Sequence, residues 1–172
     1  MKIPLVDLKA QYNTIKPDID AAIQRVIEET AFIGGSYVAK FKDEFAALYS
    51  VKYCIPVANG TDAIYIIMKI LGIGKGDEVI TVANSWISTS ETISQTGAKP
   101  VFIDVDDFFT INVDQIEQAI TPRTRAIIPV HLYGQMCDIE KIEEICNRHN
   151  LYMIEDCAQS HFSEMYGIRA GL

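Results

Sequence analysis

From residue 51 onward, short runs rich in Val and Ile alternate with segments of helical periodicity, and this alternation limits the chain to very few folds. The strand-like runs fall at residues 53–57, 78–82, 100–105, 125–132 and 151–156. Helical patterns fill 62–71, 87–95, 113–120 and 139–149 between them, and Gly72 and Gly97 close the first two. The runs are apolar on both faces, as strands are when helices cover both sides of a sheet. Regular β-α alternation of this kind implies right-handed crossovers. The expected fold class is α/β, a mostly parallel sheet flanked by helices.

Residues 1–50 follow a different pattern. A short extended lead is followed by helical patterns over 16–29 and 38–48, separated by Gly34-Gly35. This part reads as an N-terminal arm and helical lead-in, and residues 51–172 as the sheet domain. A length of 172 residues suits one domain, and 49% apolar with 22% charged residues is ordinary globular composition. A net charge of −8 without a basic cluster argues against nucleic-acid and anionic-membrane partners. An anionic ligand must then be held by local backbone dipoles. The four cysteines, Cys54, Cys137, Cys146 and Cys157, lack C-x-x-C or metal-ligand spacing and read as apolar fillers in a reducing compartment. Met1 to Asp7 contains no signal core, and the apolar stretch at 63–73 is interrupted by Lys69 and too short to span a bilayer. A soluble, cytoplasmic protein is expected, with no metal site.

Open parallel sheets bind ligands at the carboxyl ends of their strands. Asn59-Gly60-Thr61-Asp62, Asn84-Ser85-Trp86, Asp104, His131-Leu132-Tyr133-Gly134 and Asp156-Cys157-Ala158-Gln159 gather there. Gly60 permits close backbone approach, and Thr61 and Asp62 offer amides at the positive end of a helix, which suits a phosphate. Taken alone, the same turn reads as a helix cap. Asp156 follows an apolar run, where a carboxylate calls for a cationic partner such as a protonated pyridine nitrogen. Gln159 could reach a ring oxygen from the same loop. The residues alone leave open a loop cap at Asp156 and a solvated Gln159. Trp86, the only tryptophan, suits either stacking on a planar ring or the core. His131 and His161 read more readily as structural than as acid-base groups. Gly72-Ile73-Gly74-Lys75-Gly76 mimics a dinucleotide turn, but it follows a helix and precedes a strand, the reverse of the required order.

Five motifs then occur in order: Asn59-Gly60-Thr61-Asp62-Ala63, Gly76-Asp77-Glu78-Val79-Ile80, Gly97-Ala98-Lys99-Pro100-Val101, Ile128-Pro129-Val130-His131-Leu132-Tyr133-Gly134 and Ile154-Glu155-Asp156-Cys157-Ala158-Gln159. Together, from about Ile3 to the end of the chain, they resemble the DegT/DnrJ/EryC1/StrS sugar aminotransferases, fold-type I enzymes that use pyridoxal phosphate. The resemblance implies that Gly60 and Thr61 bind the cofactor phosphate, that Trp86 stacks on its ring, and that Asp156 pairs with the pyridine nitrogen, with Gln159 near the ring oxygen. It further implies transfer of an amino group, usually from glutamate, to a nucleotide-linked keto-sugar by a homodimer. The family's Schiff-base lysine follows the Asp-x-x-Gln motif by a few tens of residues. It is therefore expected beyond Leu172, together with the remaining strands and a C-terminal small domain. Residues 1–172 alone are expected to be inactive, and unstable with an uncovered sheet edge. A nucleotide-sugar dehydratase, with histidine in place of that lysine, and a non-catalytic binding remnant are the alternatives.

Overall fold

The computed structural model describes residues 6–172, so the first five residues of the expected lead lie outside the described residues. From Leu8 onward the lead is helical, not extended, ahead of the pattern read over 16–29. The chain divides into two compact units, up to Pro56 and from Val57 onward. The first unit holds α1 (Leu8–Glu28) and α2 (Gly35–Tyr49). Asp7 caps α1 by accepting the Ala10 N–H at 2.9 Å. Gly34 and Gly35 take positive φ where α2 begins, a conformation that glycine adopts at no steric cost. Along α2, Phe41, Phe45 and Tyr49 meet one turn apart, the first pair tilted with ring centroids 5.6 Å apart and the second stacked at 4.9 Å. No residue of α1 is buried.

The second unit contains α3 (Gly60–Ile70), β1 (Glu78–Val82), α4 (Ser88–Thr96), β2 (Lys99–Ile103), α5 (Val113–Ala119), β3 (Thr124–Ile127), α6 (Ile139–His149) and β4 (Tyr152–Met153). A small hairpin, β5 (Glu164–Met165) and β6 (Ile168–Arg169), follows. The first four strands form a parallel sheet in the order β2-β1-β3-β4. All five residues of β1 are buried, as a central strand between two helical layers requires.

Alternation along the strands sorts side chains to two cores. Val79, Ala126, Ile128 and Ile154 pack with Ile64 and Met68 of α3 and Ile93 of α4. Ile80, Val82, Ile127 and Val130 pack with Ile116 of α5 and Ile142 and Ile145 of α6. The chain goes from β1 outward to β2, then returns across to β3 on the other side of β1. That reversal makes the carboxyl ends of β1 and β3 the switch point where such sheets bind ligands.

Four of the five strand-like runs differ from the sequence reading, and the one expected over 100–105 spans Lys99–Ile103. Residues 53–57 form no strand, and Tyr53 and Ile55 are 69% and 74% exposed. Their β-type composition needs a neighbouring strand to be realised, and no described strand pairs with them. The run at 125–132 forms a ladder only to Ile127, and that at 151–156 only to Met153. Pro129 explains both, because it has no N–H to donate across to β4. The two chains stay side by side past the break. Asp156 N–H donates to Pro129 O at 3.0 Å, and His131 N–H to Asp156 O at 3.1 Å.

Candidate functional site

The backbone continuation of β4 decides where its last side chains go. Met153 and Cys157 pack into the α5/α6 core and Ile154 into the α3/α4 core. With a period of two, Glu155 turns toward the first of these and Asp156 toward the second. Adjacent acids therefore have separate surroundings.

Glu155 meets His131. The fully buried imidazole donates from Nε2 to Glu155 Oε2 at 2.8 Å, and its Nδ1 accepts the Cys137 N–H at 3.1 Å. Because Nδ1 is an acceptor, the proton sits on Nε2. Glu155 Oε2 also takes the Gly171 N–H at 3.0 Å. His131, Glu155 and Cys157 present ligand-type atoms within 4.8 Å of one another. Both ring nitrogens of His131 are nevertheless engaged in hydrogen bonds. This is the structural histidine expected from the residues alone. Burial pushes the thiols up, Cys157 to about 12 and Cys137 and Cys146 to about 11. All three are protonated near neutrality and unreactive.

Asp156 faces the start of α4. Its Oδ2 accepts the Thr89 hydroxyl at 3.1 Å and its Oδ1 the Ala158 N–H at 3.2 Å. Both donors are neutral, and no described Lys, Arg or His forms an ion pair with it. The preceding residue of α4, Ser88, meets the Thr61 hydroxyl at 2.7 Å. The phosphate-type turn and the acid thus attach to consecutive residues of one helix, whose Cα atoms are about 3.8 Å apart. They share one rim of the sheet.

At that turn, Asn59 Oδ1 accepts the Asp62 N–H at 2.8 Å. No described residue accepts from the N–H of Gly60 or Thr61. These amides open the 11-residue α3, and free N–H groups at a helix start suit an anionic ligand. A Cβ built on Gly60 would meet nothing within 4 Å, so space for close approach is open. Trp86, two residues before α4, is 74% exposed, which overturns the core alternative. Its carbonyl accepts the Thr89 N–H at 3.3 Å, which holds the tryptophan at the same helix start. Gln159 Oε1 accepts the Tyr133 N–H at 2.8 Å, pinning a loop where Tyr133 takes φ 55°. Gln159 thus braces the loop after β3 through its carbonyl, while the Asp156 carboxylate is hydrogen-bonded by Thr89 and Ala158. The glycine-rich segment 72–76 is a turn at the opposite edge, where Gly74 N–H reaches Asp77 Oδ2 at 2.9 Å.

Sequence reasoning missed Ser88 and Thr89. Their signal was a Ser-Thr-Ser run at a helix start just after Trp86, which is ordinary for capping residues.

An open parallel α/β sheet, with free helix-start amides and a carboxylate on one rim at its switch point, defines a class of coenzyme- and nucleotide-binding domains. Within that class the chain belongs to the DegT/DnrJ/EryC1/StrS aminotransferase family, whose model matches residues 13–172. It is 47% identical over 162 residues to a pleiotropic regulatory protein of Geobacillus stearothermophilus, covering 93% of this chain and 43% of that one. It is 46% identical over 170 residues to the UDP-2-acetamido-2-deoxy-3-oxo-D-glucuronate aminotransferase of Pseudomonas aeruginosa, covering 98% and 47%. The crystal structure of Streptomyces venezuelae DesV, in complex with a ketimine intermediate, superposes with a TM-score of 0.94 at 40% identity, covering 99% of this chain and 46% of DesV. The chain spans less than half the length of these relatives.

Proposed function

We propose that the whole protein transfers an amino group from an amino-acid donor, glutamate being the expected one, to a nucleotide-linked keto-sugar, using pyridoxal phosphate. The observation that carries this reading is the joining of Thr61 and Asp156 through Ser88 and Thr89, which sets an anion-type turn and a carboxylate within reach of one small coenzyme. The residues fit the cofactor. Gly60 and Thr61 N–H groups would receive its phosphate, and Gly60 leaves room for it. Asp156, which meets only neutral donors, would receive the cationic ring nitrogen. Trp86 would cover a ring face. With Gln159 Oε1 occupied by Tyr133, its NH2 group is the half available to a ring oxygen.

When bound, pyridoxal phosphate supplies a protonated pyridine ring that acts as an electron sink. This chain's part is to keep that ring charged through Asp156, level through Trp86, and anchored at α3. The similar protein of P. aeruginosa, a UDP-2-acetamido-2-deoxy-3-oxo-D-glucuronate aminotransferase, supports amino transfer to a nucleotide-linked sugar, and the ketimine intermediate held by DesV supports imine chemistry.

The lysine that carries the cofactor is proposed to lie outside residues 1–172. Lys75 and Lys99 stand at the amino edge of the sheet, away from Asp156. Lys141 pairs with Asp138 at 2.7 Å, which holds its ammonium above the ordinary lysine range, the wrong direction for a nucleophile. Residues 1–172 alone are accordingly proposed to be inactive. A cytoplasmic homodimer completes the reading. It is supported by the apolar stripe Leu8, Ile15, Ile19, Ile23 and Ile27 of α1, each at least 38% exposed, and no described helix is long and apolar enough to cross a membrane.

The test is spectroscopic. Whole protein loaded with pyridoxal phosphate should convert to the amine form of the cofactor on adding glutamate, and revert on adding a nucleotide keto-sugar. Absorbance that no amino acid changes would defeat the aminotransferase reading.

A further inference from the structure

We propose that Thr89 is a positioning residue for the cofactor's ring nitrogen, acting through Asp156 by fixing the carboxylate on the rim that α4 shares with the phosphate turn. The inference rests on the cofactor reading above and extends it to a residue outside the expected site.

The geometry gives Thr89 one available role. It is 1% exposed, so its hydroxyl must be satisfied inside the protein. A hydroxyl has a single proton, and an ionised carboxylate only accepts. The 3.1 Å contact to Asp156 Oδ2 therefore takes the Thr89 proton. The Thr89 oxygen is then left to accept from the Ser85 hydroxyl, 3.2 Å away. The direction of the chain is fixed, from Ser85 to Thr89 to Asp156. Ala158 N–H holds the other carboxylate oxygen at 3.2 Å. One donor on each oxygen sets the rotation of the carboxylate about its terminal bond, a torsion that is otherwise soft.

The position of Thr89 in the chain adds a second constraint. Ser88, its neighbour, holds Thr61 of the phosphate turn at 2.7 Å. The start of α4 therefore spaces the two ends of the site, and Thr89 is its contact with the ring end. Preorganisation of this kind lowers the ordering cost of binding. It should matter only for a ligand whose ring nitrogen Asp156 can grip.

The experiment uses the whole protein freed of cofactor and titrated with two ligands, followed by Trp86 fluorescence. The ligands are pyridoxamine phosphate and its analogue with C–H in place of the ring nitrogen. Thr89→Val should weaken pyridoxamine phosphate by about tenfold, the scale of one hydrogen bond to a charged group. It should leave the analogue unchanged, and Thr89→Ser should restore the preference. In an Asp156→Asn background, Thr89→Val should have no further effect. Equal weakening of both ligands would mark Thr89 as merely structural and overturn the proposal, as would unaltered binding of pyridoxamine phosphate. If the valine variant does not fold, Thr89→Ala carries the same expectations. Wild-type protein that binds the two ligands equally would defeat the assignment of Asp156 itself, a failure separate from that of Thr89.

Discussion

The sheet carries a shielded acid at each edge, and the two are provided for in opposite ways. At the amino edge, Glu78 is 3% exposed and fully partnered. Thr121 donates to it at 2.6 Å and Arg123 Nη2 at 2.7 Å, with Lys99 Nζ at 3.7 Å. At the carboxyl edge, half-buried Asp156 receives one hydroxyl and one backbone N–H, both neutral. A carboxylate out of water is costly unless a cation balances it. Glu78 has its cations inside the fold and is structural. Asp156 is oriented but not neutralised, which suits it to a cationic ligand. Shielding of an acid does not by itself identify a site; the kind of partner does.

The largest effect expected from this contrast is on turnover. In the whole protein, Asp156→Asn should cut the rate by about a hundredfold or more, the equivalent of removing one member of a buried ion pair. Trp86→Phe should cost less than about tenfold, since a smaller ring still stacks. Similar losses in steady-state assays would break the distinction drawn for Asp156.

A smaller effect, of a different kind, is expected at the other edge. Glu78→Gln should lower the midpoint of chemical unfolding at pH 7 and leave cofactor affinity unchanged. Its pH dependence has a definite sign. The Thr121 hydroxyl, and next the Arg123 guanidinium, hold the Glu78 carboxyl below the ordinary carboxylate range. A depressed value in the fold stabilises above the unfolded-state value and is lost as pH falls through the folded one. The stability gap between wild type and Glu78→Gln should therefore be full at pH 7 and shrink on acidification below about 4.5, the ordinary glutamate value. A gap that is flat with pH would show that the Glu78 ion pairs contribute nothing.

The same contrast separates what was legible in the sequence from what was not. Strand and helix alternation was readable because it is local, and α6 matches its pattern at both ends. The shortened ladders trace to one residue, Pro129, whose missing N–H acts across strands. Residues 53–57 looked like a strand because composition records preference, while pairing depends on distant chain. The gathering of Trp86 and Asp156 on one rim followed from strand ends, whereas Thr61, with no described strand before it, is tied there by Ser88. The link through Ser88 and Thr89 did not follow from them, because hydroxyls at a helix start carry the same signature whether they cap the helix or hold an acid 67 residues away.

The account centres on Asp156 gripping a protonated ring nitrogen, and the nitrogen-15 resonance of labelled pyridoxamine phosphate bound to the whole protein reports that proton directly. The signal should have the pyridinium position in wild type and move to the neutral pyridine position in Asp156→Asn at the same pH. A neutral-pyridine signal in the wild type, or a pyridinium signal that survives the substitution, would contradict it.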